Sequence, residues 1–336
     1  MMLLEVSVAL AYILRIRLKI FNQEYFSKSY TMMLRSFFTF LVFFRHYSEY
    51  VIQTSFWTRS YVLFTKVIGQ LMVGTFFYLS GFGLTQTYKN KGNDYIKRFN
   101  KTHTAKVIFQ FWIALLFFIV FNAIVKRTYQ LRTVVLSFIA WDNIGNSNWY
   151  VFATIYTYLL FWFSHTIFRN DYKKANIVIV IGVILYSIVI FRFKPDYWYS
   201  TIFCFPTGVI VSTYKNEIDK VLLSKKNYLL VILLLLFTSV FTIMRYKHVL
   251  LYIVSCVLFC FVLTSISTFL TYKNNVIINW IGKNSFGIYL LQRIPMIYFS
   301  NYAIVNNDLL KCILCLTATY ILLIPYNFII EALRNR

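Results

Sequence analysis

Tyr228-Leu-Leu-Val-Ile-Leu-Leu-Leu-Leu-Phe-Thr-Ser-Val-Phe-Thr-Ile-Met244 contains no charged side chain and is bounded by Lys226 and Arg245. As a helix rising about 1.5 Å per residue, the run approaches the ~30 Å of a bilayer's hydrocarbon core. Lipid offers the backbone no hydrogen-bond partners, so a segment there must satisfy its own polar groups, and a helix does so. Apolar runs recur along the chain, giving spans at 2–14, 36–54, 66–86, 107–125, 149–168, 175–191, 199–214, 228–244, 249–270, 285–300 and 309–330. The whole chain is 59% apolar, 21% aromatic and 13% charged. Soluble domains carry about 25% charged residues. The expected fold is therefore an all-α integral membrane protein, with about ten core transmembrane helices and one extra N-terminal helix.

The formal charge is +23. Basic residues fall between the apolar runs, as cytoplasmic loops require, so the excess indicates membrane topology and not nucleic acid. Loops holding Arg15, Arg17 and Lys19, then Lys89 to Lys106, then Lys215 to Lys226, make one side the richer in cations. That side is expected to be cytoplasmic, with the N-terminus outside and the C-terminus inside, in the plasma or inner membrane. The run at 2–14 includes Glu5, and its basic residues follow it instead of preceding it. It reads as a retained helix and not as a secretion signal. Residues 1–30 are thus an extra helix with a cytoplasmic linker, and 31–336 the main transmembrane domain. Residues 133–141 are apolar but too short to span, and turn residues follow at 142–148, which suggests an interfacial or re-entrant element on the outer face.

Arg35-Ser-Phe-Phe-Thr-Phe-Leu-Val-Phe-Phe-Arg45-His46 carries the strongest chemical signal. Eleven helical steps turn about 1100°, so Arg35 and His46 share one face, about 16 Å apart along the axis. The span 36–54 places His46 near mid-membrane, with Arg45 and Glu49 close by. An ionisable group at that depth is costly and suggests function, and imidazole accepts protons near neutral pH. The other histidines have milder surroundings: His103 in a basic loop, His165 at the inner end of a span, His248 outside. Each reads as solvated or interfacial.

The segment Lys89 to Lys106 is either an ordinary positive-inside loop against anionic lipid or an anion clamp for a phosphorylated ligand. Arg98 and Lys101, three apart, would share a face on a helix. Asn148-Trp149-Tyr150 opens a span on the outer side, where aromatic residues are common in any case. Phe205-Pro206-x-Gly208 reads as a kink or a motif, and Ser80-Gly81-x-Gly83 as small-residue helix packing or a motif. Cys312-x-x-Cys315 has no second pair and no histidine near it in sequence, so it reads as packing and no metal site is expected.

Taken in order, several of these segments resemble the acyltransferase-3 family of polytopic membrane acyltransferases. They are Arg35-x10-His46, Phe76-Phe-Tyr-Leu-Ser-Gly-Phe82, Tyr95-Ile-Lys97-Arg98-x-x-Lys101, Asn148-Trp149-Tyr150, Phe205-Pro206-x-Gly208 and Gly282-Lys-Asn-Ser-Phe-Gly-Ile-Tyr-Leu-Leu291. The resemblance implies transfer of an acyl group, usually acetyl, from cytosolic acetyl-coenzyme A to a hydroxyl of a cell-envelope polysaccharide or lipid-linked sugar. It makes His46 and Arg35 the catalytic pair, with His46 as general base or, second, acyl carrier. It assigns Arg98, Lys101 and Lys97 to the coenzyme, and Trp149, Tyr150 and Asn148 to the acceptor. Lysine stands at 101 where the family has a second arginine, and Gln292 where relatives often have histidine. Expected partners are membrane lipid, the acceptor glycan and envelope-glycan synthesis proteins, with no nucleic acid. The competing expectation is an envelope-glycan exporter or flippase.

Overall fold

A computed structural model describes residues 16–18, 21–244, 248–303 and 305–334. The expected helix at 2–14 lies outside the described residues. Among the described residues 80% are helical and almost none are in strands, as an all-α membrane protein requires. In chain order the helices are α1 (Lys28–Tyr47), α2 (Phe56–Lys91), α3 (Asn93–Phe99), α4 (Ala105–Ile124), α5 (Leu131–Phe138), α6 (Trp149–Phe168), α7 (Tyr172–Phe191) and α8 (Cys204–Thr213). They continue with α9 (Lys215–Leu222), α10 (Lys226–Met244), α11 (Val249–Ser267), α12 (Val276–Leu291), α13 (Arg293–Asn301) and α14 (Asp308–Arg334). A two-stranded antiparallel ribbon pairs β1 (Ile16–Leu18) with β2 (Leu270–Tyr272).

Among the described residues, seven helices are long and apolar enough to cross a membrane: α2, the stretch of α3 and α4, α6, α7, α10, α11 and α14. Their outer faces stay apolar. On α7, Ile177, Ile181, Ile184 and Ile188 are all exposed at helical spacing, a stripe that water would not tolerate and lipid does.

Three expected spans differ. The span at 36–54 is a helix that starts eight residues earlier and ends seven residues earlier, Lys28–Tyr47. It stops because Ser48 turns the chain: its Oγ donates to the Arg45 carbonyl at 2.7 Å, and Ser48–Tyr50 tightens into a 3₁₀ turn. The span at 199–214 shrinks to ten residues, Cys204–Thr213. The span at 285–300 is two helices meeting at Gln292. Pro295 lies just beyond that break and offers no N–H to the preceding turn.

The chain divides into two compact units. The first comprises residues up to Phe38, Gln70–Tyr95 and Ser164–Lys283. Within it α2 and α8 meet backbone to backbone. A Cβ on Gly208 would strike the Tyr78 carbonyl oxygen, and one on Gly81 would strike the Phe205 carbonyl oxygen. Both glycines are thus required by close approach, the way helices associate where lipid supplies no hydrophobic drive. Lys89 caps the end of α8, its Nζ donating to the Ser212 and Thr213 carbonyls at 2.8 and 2.7 Å. His165, expected to be solvated or interfacial, is fully buried and so not solvated, its ring 4.5 Å from Tyr88 and 6.0 Å from Tyr172.

The second unit comprises Thr39–Gly69, Ile96–Phe163 and Asn284–Arg336. Its core joins Phe43 and Tyr47 of α1 to Met296 of α13 and Cys315 of α14. Tyr47 OH donates to the Asp308 carbonyl at 2.5 Å, and Tyr61 OH to the Phe44 carbonyl at 2.7 Å, fixing the end of α1. Cys312 and Cys315 are free thiols in or against this core, as the packing reading expected. No group of metal-ligating side chains occurs among the described residues.

Candidate active site

The end of α1 places His46 in the helix's last turn, one residue before its terminus, instead of in the middle of a span. Arg45, His46 and Glu49 leave this turn together. Arg45 Nη1 lies 3.3 Å from Glu49 Oε1, an i,i+4 pair. The first residue of α13, Arg293, closes the cluster. Its Nη1 donates to His46 Nδ1 at 3.2 Å and pairs with Glu49 Oε2 at 3.1 Å, while Nη2 reaches Tyr50 OH at 3.4 Å. Lys311 of α14 donates to the Tyr50 carbonyl at 3.3 Å and pairs with Asp308 at 3.1 Å.

The charges do not cancel. Arg45, Arg293 and Lys311 face two carboxylates, Glu49 and Asp308. The surplus positive charge beside His46 favours a species that gains negative charge, such as an oxyanion or thiolate.

An aromatic path leads from the histidine. The His46 ring lies 6.0 Å from Tyr289 of α12, edge-on, and Tyr289 lies 5.4 Å from Tyr150 of α6. Tyr150 in turn contacts Trp149 at 6.1 Å. The structure therefore brings together two expected site residues, His46 and Tyr150, through a third that sequence reading did not single out. Asn148 is buried, and its side-chain amide donates to the Ala140 and Asp142 carbonyls at 3.0 and 2.7 Å. Those bonds tie the 142–148 turn to the start of α6.

The cationic segment is helical, not a loop. Gly92, with φ at +64°, separates α2 from α3. Lys97 and Arg98 lie in the last turn of α3, and Lys101 lies in a π-helical turn, Asn100–Thr104. The wider i→i+5 turn takes Lys101 out of the α register assumed from spacing, and such turns recur at functional sites. Lys97, Arg98 and Lys101 are exposed, while Phe99 between them is buried against Phe161 and Tyr158 and stacks on His103 at 4.8 Å. The three cations thus stand on an anchored platform. Arg35 lies half-buried on α1 in the first unit.

Gln292, at the α12–α13 break, is fully buried, and neither atom of its amide finds a hydrogen-bond partner among the described residues. Arg293 and Tyr289 were missed as site residues. The signal for Arg293 was an arginine inside an apolar run. Nothing in sequence tells which residue, 247 positions away, it meets.

A family model for an acyltransferase domain matches residues 32–329, nearly the whole chain. The chain belongs to the acyltransferase-3 family. It is a multi-pass membrane acyltransferase. Among curated proteins and among solved structures, none matches it. The acyltransferase-3 match includes every residue of the His46 cluster and of the cationic platform.

Proposed function

We propose that this acyltransferase moves an acyl group, acetyl first among candidates, from cytosolic acyl-coenzyme A to a hydroxyl of an envelope polysaccharide or lipid-linked sugar. The observation that carries the reading is the side-chain path His46–Tyr289–Tyr150 beside a cationic cluster. It joins a hydrogen-bonding imidazole to aromatic faces of the kind that pack on sugars.

Lys97, Arg98 and Lys101 would hold the phosphates of the coenzyme. Arginine suits the bidentate contact, and Lys101 contributes a point charge. Arg35, expected on the cytoplasmic half of α1, would meet cofactor phosphate or developing negative charge. Trp149 and Tyr150 would receive the acceptor, and Asn148 would shape the turn that presents them. His46 would act on the reacting atoms, with Arg45, Arg293 and Glu49 around it. The membrane would be the plasma or inner membrane, with the cationic platform on the cytosolic side.

Mass spectrometry of envelope glycans from cells with and without the gene tests this reading. Loss of acyl groups with glycan amount unchanged supports it. Loss of surface glycan itself would instead indicate an exporter or flippase.

A further inference from the structure

We propose that Arg293 is a positioning residue that holds His46 with Nδ1 bare and Nε2 protonated, so that His46 enters acyl transfer as a hydrogen-bond donor and not as a base or acyl carrier. This rests on the acyltransfer reading above.

The argument starts from what each group is able to do. A guanidinium only donates, and it keeps its protons in proteins. Arg293 Nη1 stands 3.2 Å from His46 Nδ1, so Nδ1 must supply the lone pair. A neutral imidazole has one N–H, which must then be on Nε2. A doubly protonated ring would set N–H against N–H and lose this bond.

Base catalysis needs the opposite arrangement. There a carboxylate takes the Nδ1 proton, and the bare Nε2 faces the hydroxyl. A carboxylate is present here, but it is capped. Glu49 Oε1 is on Arg45 at 3.3 Å, and Oε2 is on the same Arg293 Nη1 that binds His46, at 3.1 Å. Arg293 therefore occupies the place where a histidine–carboxylate bond would form. An acyl-histidine also needs a free lone pair, and the ring's own lone pair faces Arg293.

The Nε2–H suits the thioester carbonyl oxygen, which gains charge in the tetrahedral intermediate. The acceptor oxygen forms the new C–O bond, the C–S pair leaves with sulfur, and the hydroxyl proton ends on that sulfur as coenzyme A thiol. His46 keeps its own proton throughout, and no further reactant is needed.

The test uses membranes holding the full chain, labelled acetyl-coenzyme A, and label counted in the glycan fraction at matched protein level. Glutamine keeps an N–H donor but cannot take a proton. His46→Ala should lose about 10²–10³-fold in rate, the usual effect of removing one oxyanion donor. His46→Gln should regain a measurable part of that loss. Equal rates for the two variants would overturn the proposal.

A second readout does not depend on catalysis. Nitrogen-15 NMR of labelled histidine in lipid discs, assigned through His46→Gln, should show Nε2 protonated in the native chain and in Arg293→Lys. Arg293→Ala should populate the Nδ1–H form. A native ring protonated at Nδ1 would refute the assignment even if transfer is confirmed. Absence of any label transfer by the native protein would instead sink the acyl-coenzyme A reading and leave the tautomer result to stand by itself.

Discussion

The Glu49–Arg293 pair is the joint on which the geometry at His46 depends, and its strength follows from the distances. At an effective dielectric of about 20, two unit charges 3.1 Å apart attract by about 5 kcal/mol. Both side chains keep some exposure, 37% for Glu49 and 23% for Arg293, so solvent screening and desolvation remove most of that. A net coupling of about 1–2 kcal/mol remains, above the ~0.3–0.5 kcal/mol of an ordinary i,i+4 pair. Arg45–Glu49, at 3.3 Å within one turn, is such an i,i+4 pair. The assay is a double-mutant cycle of Glu49→Gln and Arg293→Gln, reading thermal unfolding in detergent. A parallel cycle of Glu49→Gln with Arg45→Gln serves as the comparison. Coupling between Glu49 and Arg293 should exceed that between Glu49 and Arg45. Coupling indistinguishable from zero would mean that Arg293 is not held at this joint, and the reasoning about His46 would fall with it.

Two further outcomes are expected. Gly208→Ala should destabilise the first unit by about 1–3 kcal/mol, toward the upper end, because its Cβ meets the Tyr78 carbonyl oxygen and the Phe82 nitrogen, backbone atoms that cannot rotate away. Gly83→Ala, with nothing within 4 Å of the added carbon, is the control and should leave thermal unfolding unharmed; equal effects would refute the close approach of α2 and α8. Replacing Arg98 and Lys101 together by glutamine should raise KM for acyl-coenzyme A about tenfold or more while leaving kcat nearly intact, as loss of uniform binding does. A fall in kcat with KM unchanged would place those cations in the chemistry instead.

Much of the fold is legible in residues alone. The uncharged run at 228–244 and its fellows at 149–168 and 175–191 are long, and lipid leaves such runs no conformational choice but helix. The starts and ends of α6 fall at 149 and 168 in both the expectation and the structure. Legibility fails where the determinant is not local. The end of α1 is set by Ser48 and by Tyr47 reaching Asp308, a contact no periodicity encodes. The break at Gln292 interrupts a run that looks continuous by hydropathy. His165 sits at a helix end, where a solvated or interfacial place is the natural expectation, and is buried because Tyr88 and Tyr172 close over it. The same holds for the site. His46 stood out because an imidazole interrupts an apolar stretch. Its partner Arg293 and its neighbour Tyr289 come from the far end of the chain and emerge only when the helices are packed.

The most direct test of the whole account is a structure of the protein in lipid with coenzyme A bound. The account predicts phosphates on Arg98 and Lys101, with the thiol end lying beside His46, so that the carbonyl oxygen of an attached acyl group falls within hydrogen-bond reach of Nε2. A coenzyme whose sulfur lies far from His46, or whose phosphates ignore the cations around the end of α3, would contradict it.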